Sequence, residues 1–262
     1  QVYYYKGPEG QLGQIKVEDL NIGVIAQTES VGSVTGIVKV EGKGFDKETL
    51  DLSFAGGFER VGVLGNTYHD VKVKEGMYAN NIFDGIVTIG DDNLALEYDG
   101  MVNLNDPMFF DFEVRLDSAQ IGYLAQSDQQ FYQKLISNVK VKVEGTNVNE
   151  VKGSIVIEDF VYQDTSHHLA MDKMTVDVRR HPDDDTIIVN SPFFDLELIG
   201  KYDLEDVGHA LTEQFSYVIN NIVEDQHEHD ADHEHYFLFL TLKDPDPLLE
   251  FFDEDVSIAK NS

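Results

Sequence analysis

Apolar and polar residues alternate between Phe83 and Leu116, and this alternation is the strongest pattern in the chain. Apolar side chains recur there at every second position, with polar or acidic residues such as Glu97 between them. Because successive side chains of a strand point to opposite faces, the pattern predicts three β-strands with one apolar and one acidic face. Turn-forming residues at 90–93 and 105–107 join them, so short hairpins and an antiparallel sheet are expected.

The rest of the chain mostly follows the same pattern. Further strands are predicted at 34–40, 50–54, 61–64 and 71–73. Three segments instead place apolar residues at helical spacing: a short turn at 19–27, a helix at 127–138 with Phe131, Leu135 and Ile136 on one face, and a longer amphipathic helix at 207–223. The longest of the three is expected to lie on the apolar face of the sheet and bury it.

Three short segments occur twice, in the same order and about a hundred residues apart. The pairs are 22–27 with 121–126, 38–42 with 141–145, and 94–100 with 194–200. Two copies of one strand-rich unit are therefore predicted. The first unit spans 1–120, and the second spans 121–262 and includes the helix at 207–223 and a His-rich acidic loop at 224–235.

Composition narrows the classes of partner and chemistry. The chain has 49 acidic and 19 basic residues, a formal net charge of -30, which repels nucleic acid and anionic membrane surfaces and favours solubility. No nucleic-acid partner is expected.

The absence of cysteine excludes disulfides and thiol catalysis. There is no apolar run near the roughly 20 residues of a membrane helix, and a start at Gln1 indicates an excised or processed segment.

The His-rich loop is the only candidate for metal chemistry. Its imidazoles alternate with acidic residues, which suits Zn²⁺ but equally suits adventitious metal in a flexible loop. The candidate ligands are His227, His229, His233 and His235. No nucleophile elbow, phosphate loop, dinucleotide fingerprint or zinc-protease motif occurs, so neither an enzyme nor a cofactor is expected.

The apolar face of the sheet is the best candidate for function. Periodicity alone favours an ordinary core, closed by a second sheet or by the predicted helices. A closed β-sandwich or solenoid acting as a scaffold or adhesive module is therefore one hypothesis. A face that stays open along its length is the other.

Several segments resemble the repeats of TamB-type translocation and assembly module proteins in their Bacteroidota form, which belong to the AsmA-like group of bridge-like lipid-transfer proteins. The resemblance is strongest over 14–126 and is carried by the segments 36–46, 83–89, 93–100 and 110–114. It implies an all-β fold in which tandem repeats build an elongated antiparallel sheet, curled into a U-shaped β-taco groove with an apolar interior.

The resemblance also implies a function. Such a groove conducts phospholipid between the inner and outer membranes, supports outer-membrane protein assembly, or both. The implied partners are phospholipid acyl chains and a BamA-family (TamA-like) outer-membrane barrel. The implied location is the periplasm of a Gram-negative bacterium, within an inner-membrane-anchored protein.

The groove lining is then predicted to be the alternating apolar face. Each buried methylene of a lipid tail is worth about 0.8 kcal/mol, so such a lining needs no fixed polar contact. The predicted lining residues are Val38, Val40, Leu52, Phe54, Val87, Ile89, Leu94, Leu96, Phe110, Phe112, Val114, Val141, Val143, Leu196 and Leu198.

Overall fold

In the part of the chain that the computed structural model describes, fourteen β-strands, paired in the order in which they follow one another along the chain, form a single antiparallel sheet. The structure describes residues 2–6, 13–21, 31–43, 50–125, 133–182, 184–201 and 235–252. The strands are β1 Val2–Lys6, β2 Gly13–Asn21, β3 Val31–Lys43, β4 Asp51–Val63, β5 Asn66–Ala79, β6 Ile82–Asp91, β7 Leu94–Asn103, β8 Met108–Gln120, β9 Lys134–Gly145, β10 Lys152–Gln163, β11 His168–Arg179, β12 Asp185–Asn190, β13 Phe194–Lys201 and β14 His235–Leu242.

The three predicted strands between Phe83 and Leu116 are confirmed as β6, β7 and β8, joined as antiparallel hairpins. Neighbouring hairpins turn through two residues with positive φ. Leu64 and Gly65 have φ of 50° and 81°, and Asn80 and Asn81 have φ of 53° and 59°. Two-residue turns of this kind match the right-handed twist of the strands that they join, so they keep the pairing tight.

The pairing register separates the side chains onto two faces. Starting from Val87, the cross-strand partners on one face are apolar: Val73 and Tyr98, then Val114, Val139 and Ile157. One residue further along each strand, Glu97 is opposite Thr88 and Arg115. We call the face that carries Val87 the apolar face and the face that carries Glu97 the polar face.

β-Bulges interrupt the alternation at several points. Asp19 has a φ of 51° where the register shifts between β2 and β3, and Asp159 has a φ of 53° where it shifts between β9 and β10. The predicted helical turn at 19–27 is therefore wrong for its first residues, which end β2. A bulge breaks the period of two just as a helix start does. The remainder of that turn lies outside the described residues.

The predicted helix at 127–138 is wrong for its second half. Residues from Lys134 onward belong to β9, because Leu135 and Ile136 pair with Tyr162 and Val161 of β10. Its first half lies outside the described residues, as do the predicted helix at 207–223 and the His-rich loop up to 234. In the described part, helices are short: α1 Ile121–Leu124, α2 Asp246–Phe252 and a 3-10 turn at Val148–Glu150.

Two of the three pairs of repeated segments fall on strands six positions apart in the sheet. In the third pair, 22–27 lies outside the described residues, and 121–124 forms α1. Residues 38–42 lie in β3 and 141–145 in β9, while 94–100 form most of β7 and 194–200 most of β13. The correspondence extends to the backbone, since Gly100 and Gly200 both have a φ of 143°.

The buried core is divided between two parts of the apolar face. One cluster contains Tyr68, Val71, Leu94 and Ala119, and the other contains Ile187, Leu196 and Leu198. The second cluster includes Leu198, which is 1% exposed, and residues of β11, β12 and β14 pack against this cluster. These clusters stabilise the sheet through apolar burial.

Candidate functional site

The apolar face holds all fifteen residues that the sequence nominated as groove lining. In β3 and β4, Val38 is opposite Gly56 and Val40 is opposite Phe54. The register then carries the same face through β8 and β9, where Phe112 is opposite Val141, to β13. The structure thus brings these residues together on one surface.

Exposure varies along this face. Of the fifteen residues, Leu94, Leu196 and Leu198 are buried and the other twelve are half-buried. The half-buried residues lie in β3 to β9. This part of the face is therefore accessible in part, whereas the part formed by β12 to β14 resembles a packed core.

A row of four aromatic rings crosses the accessible part. Phe54 lies 6.3 Å from Phe83, Phe83 lies 6.1 Å from Tyr98, and Tyr98 lies 5.4 Å from Phe112, measured between ring centroids. Phe83 and Tyr98 are not among the fifteen nominated residues, although the same period of two identifies them. The row joins β4, β6, β7 and β8 into one aromatic surface.

Gly100 lies beside this row, and its backbone has a positive φ that residues with a side chain rarely adopt. Its φ is 143°, and a Cβ atom there would lie 2.4 Å from the carbonyl oxygen of Asp111 and 2.5 Å from the Cα of Phe112. Gly153 of β10 is similar, with a φ of 132°. Both glycines allow the neighbouring backbone to approach more closely than any other residue would permit.

The hydroxyl group of Tyr98 is buried and has no hydrogen-bond partner among the described residues. Burial raises the pKa of Tyr98 to about 12, and the carboxylates of Asp84 and Asp99 act in the same direction. The phenol is therefore neutral at physiological pH. A buried hydroxyl without a partner destabilises the fold, because it loses its hydrogen bonds to water on folding.

Replacing Tyr98 with phenylalanine is expected to raise the free energy of unfolding by about 1 kcal/mol, since it removes the unpaired hydroxyl and keeps the ring. Chemical denaturation measures this change. Tyr123→Phe is the matched control, because the Tyr123 hydroxyl donates to the Thr67 carbonyl at 2.7 Å. The free energy of unfolding of that variant is expected to fall by about 1 kcal/mol. A loss in Tyr98→Phe as large as in the control would show that the Tyr98 hydroxyl is bonded after all.

The two long margins of the sheet differ in what packs on them: both described α-helices lie against the same margin. One carries the turns at 64–65, 92–93 and 164–167, and we call it the closed margin. There Tyr123 of α1 packs edge-on against Tyr68 with ring centroids 6.0 Å apart, and Phe251 of α2 packs in the same way on Tyr162 at 5.1 Å. Both described α-helices therefore cover this margin with apolar contacts.

The opposite margin, which carries the turns at 80–81 and 104–107, is polar, and we call it the amide margin. The Asn105 side chain donates to the Asn80 carbonyl and to the Asn103 side chain, both at 2.7 Å. The Asn81 side chain donates to Asn105 at 3.2 Å. The apolar face thus lies between a margin on which both described α-helices pack and a margin whose turns are held by asparagine side chains.

Exposed ion pairs cover the polar face. Glu97 accepts from Lys74 at 2.7 Å and lies 3.7 Å from Arg115, and the bond from Lys74 is the main cause that lowers the pKa of Glu97. Glu158 is held in the same way by Lys173 and Lys140. Pairs this exposed contribute little stability, and this face is a solvated exterior.

Acidic and histidine side chains of the described residues form no group of three or more that could hold a metal ion. Three of the candidate ligands, His227, His229 and His233, lie outside those residues, and His235 begins β14. The carboxylate of Asp91 has a structural role, because it accepts hydrogen bonds that hold the turn after β6. Burial acts to raise its pKa, but hydrogen bonds from Asn93 and His69 outweigh burial and lower it.

Comparison with known proteins finds no match to a protein family, to a curated protein or to a solved structure. Within the described ranges, no helix has the length and apolar character needed to cross a membrane. What the structure defines is an all-β protein built on one open antiparallel sheet with one apolar face.

Proposed function

We propose that the apolar face is a groove that binds lipid acyl chains and lets them pass from strand to strand. The observation that carries this proposal is the continuity of the face, since apolar residues are in cross-strand register from β3 to β14. In a closed core most of these side chains would be buried, whereas twelve of the fifteen are half-buried. Large apolar surfaces that remain accessible are typical of binding sites.

The chemistry of such a face suits movement as well as binding. Each methylene transferred from water contributes about 0.8 kcal/mol whichever Val, Leu or Phe it contacts. Neighbouring positions therefore hold a chain about equally well, and no strong local site stops it. In this proposal the tails lie on the apolar face, and the polar headgroups lie toward the amide margin, because the described α-helices pack on the opposite margin.

The groove that we propose is U-shaped. The bulges at Asp19 and Asp159 and the glycines at 100 and 153 support this form. Bulges and glycines with unusual backbone angles bend strands and increase sheet curvature. The six-strand spacing of the repeated segments supports a tandem repeat, with one unit from β3 to β8 and the next from β9 to β14.

In the cell, we assign the chain to a TamB-like protein of the periplasm. There it would conduct phospholipid between the two membranes, support outer-membrane protein assembly with a BamA-family barrel, or both. The support is the resemblance of the segments 36–46, 83–89, 93–100 and 110–114, together with the one-faced sheet to which the described residues of these segments belong.

The test is a titration of the whole chain with short-chain diacyl phosphocholines, each below its critical micelle concentration. The affinity is expected to rise about fourfold for each added methylene, the equivalent of 0.8 kcal/mol, until the tails fill the accessible face. Isothermal titration calorimetry measures the dissociation constants, and native mass spectrometry counts the bound lipids.

Glycerophosphocholine, which has the headgroup but no tails, is the matched control and is expected not to bind. If no lipid binds, or if the affinity does not depend on tail length, the acyl-binding groove is wrong. The face would then be a core, as in the scaffold hypothesis.

A further inference from the structure

The last described strand of the sheet, β14, differs from the inner strands on the polar face. There it presents Phe237 and Phe239, which are 68% and 55% exposed. Inner strands place charged residues such as Glu97 and Lys140 on this face. β14 therefore has large apolar residues on both sides, the pattern of a strand that is covered on both faces.

β14 is also an edge strand of the described sheet. It pairs with β13 along its eight residues, and no described strand pairs with its other side. The chain then leaves the sheet at Lys243, whose amide donates to the Phe193 carbonyl at 2.9 Å, and enters α2. Because Phe251 of α2 packs on Tyr162 of β10, this segment turns back along the sheet and does not extend it.

The eight residues of β14 add no charge of their own against self-association. The chain has a net charge of -30, which opposes the approach of a second copy. From His235 to Leu242 there is no acidic residue and no lysine or arginine. Proteins usually protect an exposed edge strand with charge or proline, and β14 has neither.

We propose that β14 pairs with β14 of a second copy, antiparallel, about a two-fold axis at Leu238. In this register Phe237 of each copy is opposite Phe239 of the other on the polar face, so four phenylalanine rings cluster there. On the apolar face the two Leu238 residues are opposite each other at the axis. Such an interface is self-complementary, as two-fold symmetry requires. It also joins the two apolar faces into one continuous surface.

The test compares two lysine substitutions by size-exclusion chromatography with light scattering over a range of concentrations. Phe239→Lys places a charge at the interface, and Met77→Lys places one on the polar face of β5, at a residue that is 56% exposed. Wild type and Met77→Lys are expected to be dimers, whereas Phe239→Lys is expected to raise the dissociation constant at least tenfold. Circular dichroism confirms that both variants are folded.

A cysteine substitution then tests the register, since the chain has no cysteine of its own. Leu238→Cys is expected to form a disulfide between copies under mild oxidation, because the two residues lie directly opposite at the axis. Thr241→Cys, opposite residue 235, is expected not to. The proposal is wrong if wild type is monomeric at every concentration, if it grows into open-ended polymers, or if the two lysine variants behave alike.

Discussion

The Phe112→Asp variant is expected to bind at least tenfold less phospholipid than wild type, while Phe109→Asp keeps its lipid. The two phenylalanines are half-buried residues of the same strand, β8, on opposite faces. Phe112 is opposite Val141 on the apolar face, with its ring 5.4 Å from that of Tyr98, whereas Phe109 is opposite Glu144 on the polar face. An aspartate on the lipid path has to lose water whenever a chain passes, and such desolvation is costly for a charge.

Native mass spectrometry and transfer of labelled phospholipid between vesicles measure this difference. Thermal unfolding of both variants shows whether the sheet has survived each change. Equal loss of lipid in two folded variants would mean that binding does not depend on the apolar face. Unchanged transfer by a folded Phe112→Asp variant would contradict the groove.

Gly100→Ala is expected to lower the free energy of unfolding by about 3 kcal/mol, because the alanine would adopt a disfavoured backbone conformation and its methyl group would clash with β8. The added methyl group would meet the Asp111 carbonyl oxygen at 2.4 Å, and this backbone atom cannot move aside as a flexible side chain could. The variant is therefore expected to separate β7 from β8 locally, in the middle of the aromatic row.

Gly57→Ala is the matched control, because a Cβ atom at Gly57 has nothing within 4 Å. It is expected to leave stability unchanged or to raise it by about 0.5 kcal/mol through the entropy of the unfolded chain. Urea denaturation measures both variants. If the two alanine variants were equally stable, the close approach of the strands at Gly100 would not contribute to the fold.

The sequence predicts the faces of the sheet well, for a physical reason. If the pairing of a strand shifted by one residue, all its apolar side chains would move to the solvent face. Alternation therefore fixes the pairing register wherever one face of the sheet is apolar. This is why all fifteen nominated residues lie on one surface, from Val38 in β3 to Leu198 in β13.

Other features depend on partners that periodicity does not specify. Leu135 and Ile136 form a short apolar run that fits a helix or a strand, and only the neighbouring strands β8 and β10 decide between the two. The bulge at Asp19 looks like the start of a helix for the same reason. The unpaired hydroxyl of Tyr98 and the difference between the two margins become evident only when distant residues are brought together.

Each described strand pairs only with strands that adjoin it in sequence. Stability in such a chain is approximately a sum of nearest-neighbour terms, as in a one-dimensional Ising system. Amide hydrogen exchange is therefore expected to be fastest at β1, the edge strand that the proposed dimer leaves unpaired, and to slow gradually toward the middle hairpins. The same arrangement lets evolution lengthen or shorten the sheet by one hairpin at a time, so the span of the protein can change while each remaining interface is kept.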